Sequence, residues 1–330
     1  MKEFLDDLKV EHTKFNPIMI IGKARSGTSI FTRLVRKYLR ISFGTESQFF
    51  IRYYDSLKNY EPLSDDANIK TLINDISKER YFKRSSKRYG FVLDTKAVFE
   101  NLPENSYRGV LVSIFSQLAK HHKMERWGDK TPEYIHDLPI LKELFPDAQF
   151  IHVVRDGRDV ALSSFRMPFG EKNIYKAALD WKASILAARH FAKTVSEDQY
   201  TELRYEDVLT NPTGEFSKII RFLGIKDDDN QLINFISDSI ENDLNLGNFE
   251  KWKYQLTKDE IYLFERIAGD LLDEYGYDSK IKTPLPMPGY EKLFWEFDNN
   301  VRKLKMGEYW EDNFYKLILR YKALLRRFLK

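Results

Sequence analysis

The stretch KFNPIMIIGKARSGTSIFTRLVRKY, residues 14–38, decides the fold class. Its apolar run Ile18–Ile21 reads as a buried strand that breaks at Gly22. The chain passes through Lys23, Ala24, Arg25, Ser26 and Gly27, then resumes as a helix from Thr28 or Ser29. Ile30, Phe31, Leu34, Val35 and Tyr38 follow at helical spacing. A strand, a tight glycine turn and a helix N-terminus bring backbone N–H groups together where an anion can sit. Gly22 and Gly27 stand apart like the glycines of a Walker A loop, but Thr28-Ser29 replaces the Lys-[ST] that should follow. Positive charge comes earlier, at Lys23 and Arg25. The loop is therefore of phosphate-binding type without being that of a nucleoside triphosphatase; the alternative is that Thr28 and Ser29 only cap a helix.

Outward from this stretch, short apolar runs alternate with helical patterns. Residues 2–10 read as a leading helix, 39–43 as a second strand and 67–88 as helical after an Asp65-Asp66 cap. Residues 107–123 form a helix with Val110, Leu111, Ile114, Phe115 and Leu118 inward. In 126–134, RWGDKTPEY, the glycine predicts a turn before Lys130. A helix over 137–145, a strand at QFIHVVRD and a break at Gly157 come next, followed by helices near 160–165 and 174–195. A strand over 200–205 and helices over 215–223 and 230–239 complete the series. Buried strands separated by helices predict an α/β chain, a P-loop-like three-layer α/β/α arrangement around a mostly parallel sheet. The proline-rich 283–289 divides a domain over 1–280 from a helical extension over 281–330.

Bulk properties exclude more than they identify. The 53 Lys and Arg against 50 Asp and Glu leave a formal net charge of +3, which argues against a nucleic-acid partner. Residues 301–330 are locally basic, with nine Lys or Arg against three Asp or Glu. There is no cysteine, so thiolate chemistry is excluded and a reducing, cytoplasmic setting fits. The N-terminus has no apolar segment of signal-peptide type, and no run approaches the length of a spanning helix. No histidine cluster suggests a metal: His121 and His122 are adjacent and so lie on different helix faces, and His152 reads as a strand residue.

Two further segments carry chemistry. In IHVVRDGRDVALSSF, residues 151–165, a strand delivers Arg155 to its C-terminal end, where open sheets bind ligands, and Ser163 lies about two turns along the next helix. An arginine fork and a hydroxyl suit a phosphate; the alternative is a solvated ion-pair cap made by Arg155, Asp156, Arg158 and Asp159. In RWGDKTPEY, Lys130 sits between Trp-Gly-Asp and a proline that fixes the backbone.

Together KARSGTS, GTES, RWGDKTP, VVRDGRDVALSS, LRYEDV and KWKYQLTKDEIYLFERIAGDLLDEYGY resemble the sulfotransferase superfamily, in the branch that includes tyrosylprotein sulfotransferases and many bacterial enzymes. The resemblance runs from Ile18 to Tyr277. It implies transfer of a sulfuryl group from 3′-phosphoadenosine-5′-phosphosulfate (PAPS), with release of 3′-phosphoadenosine-5′-phosphate (PAP) and no metal. By the same resemblance, Lys23, Ala24, Arg25, Ser26, Gly27, Thr28 and Ser29 cradle the 5′-phosphosulfate, and Arg155 with Ser163 holds the 3′-phosphate. Glu46 matches a catalytic carboxylate and Lys130 a lysine near the transferred group. Tyr205, at the head of Tyr-Glu-Asp, matches a segment supporting the cofactor. Lys251, Trp252 and Lys253 match, more loosely, late residues that close over the nucleotide. A kinase with a divergent loop and a non-catalytic nucleotide-binding or membrane-associated scaffold are the rival readings.

The acceptor is open: a glycan, a lipid-linked molecule or a small hydroxylated compound. The aromatic stretch 49–60, with Trp295 and Trp310, hints at stacking on sugars or apolar acceptors. The tail pairs Phe314, Leu317, Ile318, Tyr321, Leu324, Leu325 and Phe328 with Lys316, Arg320, Lys322, Arg326, Arg327 and Lys330. Such an amphipathic stripe packs on its own domain or a second subunit, or else lies on an anionic membrane surface, on its inner face.

Overall fold

The computed structural model describes residues 10–14, 16–167, 170–244 and 247–304; the expected helix over 2–10 and the tail stripe lie outside them. The chain divides into two units, one of residues up to 154 with 185–247, the other of 155–184 with residues from 248 onward.

The first unit is built on a parallel sheet. With β1 at Glu11–His12, the strands that follow are β2 (Ile18–Ile21), β3 (Ile41–Phe43), β4 (Arg126–Asp129), β5 (Gln149–Val154), β6 (Tyr200–Arg204) and β7 (Ile225–Lys226). The central sheet runs β3-β4-β2-β5-β6, every pair parallel, and β1 pairs antiparallel with β7 apart from it. β2 is fully buried between β4 and β5, with Ile18 opposite Gln149 and Ile21 opposite His152. Both faces of β2 are covered, because alternate side chains point to opposite faces. Met19 and Ile21 join a core with Phe50, Ile114, Phe115 and Trp127, while Ile18 and Ile20 are equally buried on the other face. Since all five strands run the same way, their C-terminal ends share one edge, and there the chain direction switches about β2.

Three readings change in this unit. RWGD is strand β4, not a turn: a Cβ on Gly128 would lie 2.5 Å from the Ile18 carbonyl oxygen and 2.5 Å from the Phe43 ring, so the glycine permits close strand packing. Arg126 within it is buried and donates to the carbonyls of Asn16 at 2.7 Å and Leu223 at 2.8 Å, which satisfies a guanidinium taken out of water. The aromatic stretch 49–60 goes inward rather than out to a ligand: Phe49, Phe50, Tyr53 and Tyr60 are all core residues. A helix at Thr95–Glu100, capped by Asp94 accepting from the Ala97 N–H, has no counterpart in the sequence reading.

The second unit is helical in its described residues, with helices at Gly157–Phe165, Trp252–Gln255, Lys258–Glu274 and Gly289–Leu304, and the start of Ile174–Ala192. Thr257 and Glu260 close a capping box on the third of these. A Cβ on Gly157 would meet Phe264 at 2.4 Å and Trp181 at 2.6 Å, so the first helix enters against two large rings with no room for a side chain.

Candidate functional site

The loop after β2 holds the geometry its glycines predict. Gly22 has φ 154°, and a Cβ there would lie 2.6 Å from the Val153 carbonyl oxygen of β5. Gly27 has φ 91°, in a region L-residues avoid, and ends the loop as the N-cap of the helix Thr28–Tyr38. No side chain caps that helix. Thr28 and Ser29 are thus its first two residues, not its caps. The Ser26 N–H closes the turn on the Lys23 carbonyl at 3.0 Å, and Arg25, exposed, sits at φ 79°. A non-glycine residue held there carries backbone strain of the kind that gathers at ligand sites.

Glu46 and Lys130 come to this loop from two other strand ends. Glu46 lies just beyond β3, Lys130 directly after β4, and Lys130 Nζ donates to Glu46 Oε1 at 2.5 Å and to Ser29 Oγ at 3.1 Å. The next residues clamp the pair. The Ser47 N–H donates to Thr131 Oγ1 at 3.0 Å, the two hydroxyls are 3.2 Å apart, and Ser47 Oγ meets the Tyr134 hydroxyl at 2.9 Å. Tyr205, first residue of a helix after β6, is buried with its ring over the loop: a Cβ on Gly27 would fall 2.1 Å from Tyr205 Cδ2. Three of the other four strands of the central sheet therefore place a sequence-identified residue beside this loop.

Sequence reasoning missed Asp129. It is 3% exposed at the end of β4, and burial pushes its carboxyl from 3.8 up to about 7. Hydrogen bonds from Thr131 and Ser47 and the Lys130 charge pull it back down, while Glu46 pushes it further up. Its signal was present as the acid next to Lys130, but only the strand assignment shows that it is buried.

In the second unit, Arg155 follows β5 and donates to the Asn248 carbonyl at 2.8 Å, with Asp159 Oδ2 at 3.7 Å. Lys251 Nζ reaches Asn248 Oδ1 at 2.8 Å, and the Trp252 N–H donates to Asp159 Oδ1 at 3.0 Å. Arg155, Lys251 and Trp252 are thereby gathered around one short segment. Lys253 is exposed and pairs with Glu250 at 2.6 Å; Ser163 is half-buried on the helix Gly157–Phe165.

The ion-pair cap expected here is buried rather than solvated. Arg158 is fully buried, bidentate to Asp156 at 3.0 and 2.8 Å, bonded to Glu265 at 2.9 Å and stacked 3.4 Å from the Trp252 ring centroid. Asp156 also accepts the Arg158 N–H as N-cap of the helix. A planar guanidinium can satisfy two carboxylates in its plane and an aromatic face above it, which an ammonium cannot. The cap fixes the helix start two residues beyond Arg155 and holds Trp252 against it. Glu265, more than 100 residues away in sequence, gave no signal of joining it.

Comparison with known proteins finds relatives of this chain. The model of the Sulfotransferase family matches residues 17–229. Omega-hydroxy-beta-dihydromenaquinone-9 sulfotransferase Stf3 of Mycobacterium bovis is 27% identical over 173 residues, which cover 47% of this chain and 42% of that protein. This match thus spans less than half the length of the mycobacterial relative. Protein-tyrosine sulfotransferase A of Caenorhabditis elegans is 21% identical over 293 residues, 83% of this chain and 70% of that one. Among solved structures, the sulfotransferase domain of the Synechococcus PCC 7002 olefin synthase aligns over 81% of this chain and 97% of its own, with 18% identity and a TM-score of 0.47. On the match of the family model to well over half of its residues, the chain belongs to the sulfotransferase family.

Proposed function

We propose that this chain transfers a sulfuryl group from PAPS to a hydroxyl, or an amine, of its acceptor, with Glu46 as general base. The observation that carries the reading is the contact of Lys130 with both Glu46 and Ser29, which joins a carboxylate, a cation and a loop hydroxyl in one hydrogen-bonded group. Glu46 takes the acceptor proton as the acceptor oxygen bonds to sulfur and the bond from sulfur to the 5′-phosphate oxygen breaks. The electron pair leaves on that oxygen with PAP. Lys130, Arg25 and the loop N–H groups offset the charge that develops there. In-line transfer from a phosphate leaving group asks for this same positioning and charge stabilisation.

The donor fits the residues present. A helix N-terminus without a side-chain cap and Lys23 to Ser29 around it suit the 5′-phosphosulfate, with Tyr205 packed on Gly27 to hold the loop's shape. Arg155 and Ser163 suit the 3′-phosphate, and Lys251, Trp252 and Lys253 the nucleotide's outer side. An oxygen acceptor is favoured because the two curated relatives carry a hydroxy compound and protein tyrosine in their names. A glycan, a lipid-linked alcohol and a small hydroxylated molecule all meet that description. A chain without cysteine suits a cytoplasmic setting or the inner face of a membrane.

A thermal-shift comparison of PAP, AMP and ATP tests the donor. PAP should stabilise the protein most, and Arg155→Ala should abolish its advantage over AMP. Equal or better stabilisation by ATP refutes the reading. Glu46→Gln should keep the PAP response and lose transfer; near-normal turnover removes Glu46 as the base.

A further inference from the structure

The helix Gly289–Leu304 carries an apolar face that nothing in the described structure covers. Tyr290, Leu293, Phe294 and Phe297 are 78%, 70%, 59% and 70% exposed, at positions i, i+3, i+4 and i+7 of one helix face. Asn299, on the opposite side, is 1% exposed and donates to Glu171 at 2.6 Å. The helix is thus anchored by its polar side and presents its large apolar side chains outward, the reverse of what burial in the domain requires. Its carboxylates are kept off the stripe: Glu291 pairs with Arg266 at 3.0 Å, Glu296 with Lys176 at 3.5 Å and Asp298 with Arg302 at 2.8 Å. Four large apolar residues in one contiguous stripe mark an interaction surface, not scattered surface hydrophobicity.

We propose that this face docks on an anionic lipid surface, inserting Tyr290, Leu293, Phe294 and Phe297 into the headgroup layer. Charge selects that occupant over a second copy. Residues 301–330 have nine Lys or Arg against three Asp or Glu in sequence. A second copy carries the same excess of basic charge and offers it no complement, whereas acidic headgroups attract it. Apolar and aromatic side chains beside a basic stretch are the combination that holds a protein in the plane of a membrane without spanning it, and no described helix is long and apolar enough to cross one. The proposal does not depend on the transfer reaction.

Co-sedimentation of the full chain with vesicles tests it, comparing equimolar phosphatidylglycerol and phosphatidylcholine with phosphatidylcholine alone. The chain should pellet with the anionic vesicles, be released by high salt and stay in solution with the neutral ones. Leu293→Glu with Phe297→Glu should weaken binding about tenfold or more, because each puts a charge where lipid would lie. Both residues are exposed, so the thermal melt should be unchanged; Tyr262→Glu, at a separate exposed tyrosine, should bind as wild type. Failure to bind anionic vesicles overturns the proposal, as does equal binding by the double variant. So does a dimer, seen by light scattering, that the double variant dissolves while vesicle binding persists.

Discussion

Asp129→Asn should flatten the pH dependence of stability that this buried carboxyl imposes. In the folded chain the carboxyl ionises at about 7 instead of 3.8, with burial as the largest cause. Between those values the native state keeps a proton that the unfolded state has released. The carboxyl's contribution to stability therefore falls as pH rises through that window and levels off above it. At about 1.4 kcal/mol per unit, the part of the window between about pH 5 and about pH 7 is worth roughly 3 kcal/mol. The neutral amide has the carboxyl's shape and no such titration, so the variant should gain on wild type by that amount as pH rises. Burial lowers His12 and His122 to about 4 in the folded chain; unfolded they titrate near 6.5, so they raise stability with pH over the lower part of this range, equally in both proteins, and cancel from the difference. Differential scanning fluorimetry from about pH 5 to about pH 8, at constant ionic strength, should show the two melting temperatures diverging by several degrees. Curves that stay parallel across the range would refute the reasoning, since they would mean that Asp129 does not titrate there.

Three other outcomes follow from the geometry. Arg158→Met should lose roughly 3–5 kcal/mol in urea unfolding, because Asp156 and Glu265 are left buried without their cation; adding Glu265→Gln should restore part of it, and a loss under about 1 kcal/mol would show the network to be marginal. Gly27→Ala should lose about 1–3 kcal/mol to overpacking against the Tyr205 ring, with more from the positive φ, and its PAP-induced thermal shift should shrink. A full shift would show that the loop tolerates distortion. Lys130→Met, which keeps the volume and removes the charge, should lower turnover about 10²–10³-fold; loss of PAP binding with turnover unchanged at saturating donor would assign the lysine to binding alone.

How much was legible in the sequence depended on how local each signal was. β2, the glycine loop and the helix after it could be read from residues 14–38, because an apolar run, two glycines and a helical period all act over a few residues. β5 and β6, with Arg155 and Tyr205 at their ends, were legible for the same reason. RWGD was not: a glycine in isolation favours a turn, and only the Ile18 backbone and the Phe43 ring, brought alongside by the sheet, make Gly128 a strand residue. The aromatic stretch 49–60 failed in the same way, since the sequence cannot say which side of an aromatic run faces the core.

The sequence by itself determined the parallel α/β architecture and the identity of most candidate site residues, because strand and helix periods and a short glycine loop are properties of neighbouring residues. Tertiary structure decided which of those residues meet. Lys130, Ser29 and Glu46 are separated by 84 and 101 positions in sequence and lie within 3.1 Å of one another through the lysine only because parallel strands end at one edge. It also turned Arg158 from a surface charge into a buried one and raised the Asp129 carboxyl to about 7, since desolvation is set by what packs around a group and not by the residues beside it in the chain.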